Sequence, residues 1–189
     1  KAEMSVDKTN RMSISRNHSA THLLHKALKE ILGTHVAQAG SMVSDTRLRF
    51  DFSHFEAMTT EQIKEAETKV NNAILACMPI EVRELPIDEA KKLGAEAQFG
   101  EKYGDVVRVV SMGDYSIEFC GGTHLSNTSE CGLFKIISET GVAAGVRRIE
   151  AVTGRGVLNL INTYETIMNE TAQNLKTNRV MELADKAQS

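Results

Sequence analysis

VVRVVSMGDYSIEF, residues 106–119, holds two runs rich in β-branched and aromatic side chains, one on each side of Gly113-Asp114. Such side chains favour a pleated, half-buried surface, and a Gly-Asp step favours a turn. Strands are therefore predicted over Val106–Met112 and Ser116–Phe119. Two further runs follow, Leu133–Ser138 beyond Gly121-Gly122 and Val146–Val152. The links between these strands are too short for helical crossovers, so the pairing is antiparallel. Upstream, Arg47-Leu48-Arg49-Phe50-Asp51-Phe52 alternates in polarity, which predicts a strand with Leu48, Phe50 and Phe52 on its buried face. Ile80–Leu85 is a further short strand.

Helices flank these strands. From about Asn10 to Leu32, Ala20, Leu23, Leu24, Ala27, Leu28, Ile31 and Leu32 recur at helical spacing, and Gly33 suits a left-handed cap. Thr59 with Gln62 forms a capping box for a second helix. That helix carries Ile63, Ala66, Val70, Ala73, Ile74 and Cys77 on one side and stops before Pro79. A short helix over Asp88–Leu93 closes at Gly94. The expected fold is α+β, an antiparallel sheet packed with helices, over residues 1–154. A helix over 155–189, striped with Leu160, Tyr164, Ile167 and Met168, follows as a connector.

The chain has 189 residues, 41% hydrophobic and 25% charged, ordinary for a soluble globular protein. No apolar run reaches membrane-spanning length, and the N-terminus lacks the apolar core of a signal peptide. Three Cys without paired spacing argue against a disulfide framework and fit a reducing cytoplasm. The first residue is Lys, and both ends read as cuts through a longer chain. A net charge of −3 excludes broad phosphate gripping. Contact with RNA would rest on local patches such as Arg47 with Arg49, Lys91 with Lys92, and Arg147 with Arg148, each of which also reads as ordinary surface charge.

His18 and His22 are four residues apart on the first predicted helix, so both rings leave one face about a turn apart. Cys120 and His124 flank Gly121-Gly122-Thr123 at the end of a strand, where glycine allows a tight turn. Three imidazoles and one thiolate suit tetrahedral zinc. Either pair alone is weak; together they use three of the six His. The remaining donors read as packing or surface groups. His25 lies on surface or in packing, with a supporting place beside the metal as the alternative. His35 and His54 are exposed, Cys77 is core and Cys131 structural.

The run Arg16-Asn17-His18-Ser19-Ala20-Thr21-His22-Leu23-Leu24-His25 resembles the signature of alanyl-tRNA synthetase editing domains. Gln38-Ala39-Gly40-Ser41, residues 47–52, Phe119-Cys120-Gly121-Gly122-Thr123-His124 and Gly145–Gly154 resemble its further motifs in the same order. The resemblance spans about Val6 to Gly154. It implies the second additional domain type of the threonyl and alanyl enzymes, with the trailing helix leading towards the remaining domains of the full-length synthetase. It further implies that His18, His22, Cys120 and His124 bind Zn2+, and that Thr21 and Gln38, with Ser41 nearby, line the pocket for a misplaced aminoacyl group. The implied reaction is hydrolysis of the ester joining serine or glycine to alanine tRNA. A non-catalytic zinc-stabilised tRNA-binding module and a freestanding trans-editing deacylase are the alternatives.

Overall fold

The computed structural model describes residues 2–96, 103–177 and 179–188. Two compact units are present, residues 1–154 and residues 155–189.

The first unit opens with α1 (Lys8–Leu32), whose first turn is capped by the Asp7 side chain accepting from the Asn10 amide. Then come β1 (Gln38–Val43), β2 (Leu48–Ser53), α2 (Thr60–Leu75), β3 (Ile80–Pro86) and α3 (Ile87–Lys92). The unit closes with β4 (Val106–Met112), β5 (Ser116–Phe119), β6 (Phe134–Ala143) and β7 (Val146–Thr153). The expected α+β class holds, with every paired strand antiparallel. The strands form two sheets, however, ordered β1-β2-β7-β6 and β3-β4-β5.

Leu23, Leu24 and Leu28 of α1 pack in one core with Leu48, Phe50, Phe52 and Ile149 of the first sheet and with Val70 of α2. β4 serves two cores by strand alternation. Val110 and Met112 join this main core, while Val107 and Val109 pack with Ala90 and Phe119 in a smaller one.

Three local expectations are corrected. Gly33 has φ 113° and ψ 168°, outside the left-handed helical region, although its amide still bonds the Lys29 carbonyl. α2 ends at Leu75, so Cys77 lies past the helix in a positive-φ conformation and is exposed rather than core. β1 was not anticipated. Its small and polar residues alternate only between half-buried and exposed, as an edge strand's can.

In the second unit α4 (Arg155–Asn174) ends before the C-terminus, and a short turn over Val180–Glu182 precedes α5 (Leu183–Gln188). The stripe residues Tyr164, Ile167 and Met168 are exposed. No helix among the described residues is long and apolar enough to cross a membrane.

Candidate metal centre

Helical spacing sets His18 and His22 side by side on α1, and the loop after β5 brings Cys120 and His124 against them. One ligand atom from each of the four lies within 4.8 Å of every other. Cys120 Sγ is 3.4 Å from His18 Nε2 and 3.3 Å from His124 Nε2. A tetrahedral zinc ion with ordinary bond lengths separates sulfur from nitrogen by about 3.5 Å, so the spacing fits.

The outer ring nitrogens are held from behind. His18 Nδ1 lies 3.1 Å from the Thr123 carbonyl, which can only accept. His22 Nδ1 is 2.7 Å from Glu118 Oε2, and His124 Nδ1 is 3.2 Å from Ser19 Oγ. All three Nε2 atoms are thereby left for the centre. His22 Nε2 is buried and has no hydrogen-bond partner, which also fits a ligand to a metal. His18 and His124 are half-buried while Gly121 and Thr123 are exposed, so the cluster has a side towards solvent.

The electrostatics follow from crowding. Burial disfavours a thiolate, but hydrogen bonding from His124 and His18 outweighs it and brings the Cys120 thiol down to about 3. Burial also disfavours charge on His22, yet the Glu118 carboxylate wins and pushes that imidazole up to about 10. Burial brings His124 down to about 4. The chain thus supplies a ready thiolate, the form in which Cys binds metal.

The loop's two glycines differ. A Cβ on Gly122 would lie 2.0 Å from His18 Cε1, whereas one on Gly121 meets nothing within 4 Å. Neither takes a positive φ, so Gly122 is there for close approach to the ring rather than for a turn. Arg108 Nη1 donates to the carbonyls of Cys120 at 2.7 Å and Gly122 at 2.6 Å, which pins the loop.

Thr21 is buried, and its hydroxyl donates to the Asn17 carbonyl at 2.8 Å. Gln38 and Ser41 lie on β1, where Gln38 Nε2 donates to Ser41 Oγ at 3.4 Å. Asn17, beside His18, bonds the Ser44 carbonyl and the Thr153 hydroxyl and so ties α1 to the turn after β1 and to the end of β7. His25 is buried rather than on the surface; its Nδ1 is 3.0 Å from Glu118 Oε1. His35 is exposed and His54 half-buried, with Nε2 and Nδ1 3.0 Å apart. Cys131 is buried, and burial pushes its thiol up to about 12.

The arginine patches are largely committed within the fold. Arg148 makes a two-point pair with Asp51 at 2.7 and 2.8 Å, and Arg147 a similar one with Glu139 at 2.5 and 2.7 Å. Arg47 lies 3.6 Å from Glu150. Lys91 and Lys92 are exposed.

Sequence reasoning passed over Glu118, Ser19 and Arg108. Strand alternation was the available signal for Glu118, since residues 116, 118 and 120 share a face if the strand runs into the Cys.

Residues 107–150 match the threonyl and alanyl tRNA synthetase second additional domain, which defines the class of domain. The match includes Cys120, His124, Glu118 and Arg108 but stops short of α1. The chain is similar to the alanine–tRNA ligase of Acetivibrio thermocellus, 61% identical over 173 residues, which is 92% of this chain and 20% of that protein. It is also similar to those of Clostridioides difficile (60% over 177 residues, 94% and 20%) and Bacillus subtilis (57% over 168 residues, 89% and 19%). By sequence the chain is a fragment of bacterial alanyl-tRNA synthetase, spanning about a fifth of the length of the relatives it matches.

Proposed function

We propose that this chain is the editing part of an alanyl-tRNA synthetase, a deacylase that hydrolyses the ester joining serine or glycine to alanine tRNA. The observation that carries the reading is the cluster of three imidazoles and one thiolate around a single point, with each ring braced at its far nitrogen. The relatives are named as alanine–tRNA ligases, and the family model covers the half of the cluster that includes Cys120 and His124.

In this reading His18, His22, Cys120 and His124 hold Zn2+. A bound zinc ion supplies Lewis acidity towards the ester carbonyl or towards water. Water adds to the carbonyl carbon, the bond to the ribose oxygen breaks, and that oxygen takes a proton. Thr21, Gln38 and Ser41 line the aminoacyl pocket. Gln38 and Ser41 keep spare hydrogen-bonding capacity towards a substrate hydroxyl or amine. Thr21 gives its proton to Asn17 and keeps its lone pairs as acceptors. Such polar groups pair with the serine hydroxyl, whereas the alanine methyl would bury them without a partner and glycine, with no side chain, leaves them room to keep water.

A zinc module without catalysis would have its metal sealed by apolar side chains. The solvent-facing side of the cluster favours the hydrolase. The paired arginines and the net charge of −3 leave most of the RNA affinity to the other domains of the synthetase. The test is release of amino acid from alanine tRNA charged with serine, glycine or alanine. Faster release of serine and glycine than of alanine supports the reading; equal rates for all three, no faster than without protein, refute it.

A further inference from the structure

Glu118 is a carboxylate inside the core, 6% exposed, and both of its oxygens face imidazoles. Oε2 lies 2.7 Å from His22 Nδ1, and Oε1 lies 3.0 Å from His25 Nδ1 with Ser116 Oγ at 3.4 Å. An ionised carboxylate only accepts, so both rings must carry their proton on Nδ1. That fixes His22 with Nε2 turned to the cluster. His25 completes the arrangement at a cost, since its own Nε2 is buried without a partner. An apolar residue against Phe50, whose ring centroid is 5.3 Å away, would fill the space without that cost. What the imidazole adds is the Nδ1–H bond to Glu118.

Charge gives a second reason for the carboxylate. A divalent ion with the Cys120 thiolate and three neutral imidazoles has a net charge of +1; the Glu118 carboxylate brings it to zero, which suits a partly buried centre.

We propose that Glu118 and His25 form a positioning pair for the metal centre, in which His25 holds Glu118 and Glu118 orients and charge-balances the ligand His22. The proposal rests on the reading of His18, His22, Cys120 and His124 as zinc ligands.

The test measures Zn2+ affinity of the protein by competition with a chromophoric chelator, for Glu118→Gln, His25→Gln and the double variant. Glu118→Gln is expected to weaken Zn2+ binding roughly 10–100-fold, the usual effect of losing a group that braces a ligand. His25→Gln weakens it less, and the double variant is no weaker than Glu118→Gln, because His25 acts through Glu118. Independent structural roles would instead multiply the two losses, and that result, or unchanged affinity in Glu118→Gln, would overturn the proposal. Should Glu118→Gln fail to fold, imidazole nitrogen NMR of the unsubstituted zinc-bound protein decides: protons on Nδ1 of both His22 and His25 support the pair, and an Nε2–H tautomer at His25 overturns it. Absence of Zn2+ uptake by the unsubstituted protein overturns the zinc reading and this proposal with it, whereas unchanged Zn2+ affinity in Glu118→Gln overturns the proposal alone.

Discussion

A methyl group on Gly122 would sit 2.0 Å from His18 Cε1 and 2.7 Å from its Nδ1, so the ring would have to leave its place. Gly122→Ala is therefore expected to lower zinc affinity and hydrolysis at least tenfold, comparable to losing a ligand's brace. Gly121→Ala, with nothing in the way, should leave both within about twofold, and metal analysis beside a hydrolysis assay distinguishes them. Equal effects would mean that the loop, not the ring contact, sets the requirement. Thr21→Val removes a hydroxyl that bonds the helix's own backbone. If Thr21 also reads serine, seryl-tRNA hydrolysis should fall by about 1–2 kcal/mol in transition-state stabilisation while glycyl-tRNA hydrolysis barely changes. Equal losses on both substrates would confine Thr21 to the helix. At this scale the donor residues were legible because HxxxH and CxxxH are local patterns. Glu118 was passed over and His25 weighed only as an alternative, because their roles exist only when β5 crosses α1, a contact separated by more than ninety residues.

At the scale of elements, the periodic stretches were the legible ones. The Thr59–Gln62 capping box is present with both of its bonds, and Leu48, Phe50 and Phe52 are fully buried. β1 was hidden because its pairing with β2, rather than any pattern of its own, makes it a strand. The division into two sheets was equally hidden, since strand order depends on long-range pairing. Asp51 shows how the first sheet is locked: it is paired across strands with Arg148, whose guanidinium holds the Asp51 carboxyl below its usual range. A depressed folded pKa contributes stability above the unfolded value of about 3.9, and this is lost as pH falls through the lower folded value. Asp51→Asn should thus lower the urea midpoint at pH 7, and the gap to the unsubstituted protein should narrow as pH falls below about 3.9 and close once the carboxyl is protonated in the folded protein. A gap independent of pH would show that the pair contributes shape rather than charge.

At the scale of the molecule, the net charge of −3 and the internal pairing of Arg147 and Arg148 fit the proposed division of labour, in which other domains supply most of the RNA affinity. Its relatives are about five times as long, which is consistent with that division of labour. The proposed ligands all lie in residues 1–154, and none in residues 155–189. Zinc-dependent hydrolysis within the first unit is the proposed activity. Its most direct test follows serine release from seryl-tRNA(Ala) while zinc is titrated back into chelator-stripped protein. The rate should rise from near background and level off at about one zinc per chain, as a single four-ligand site requires. Full activity in stripped protein that metal analysis shows to be free of zinc would contradict it.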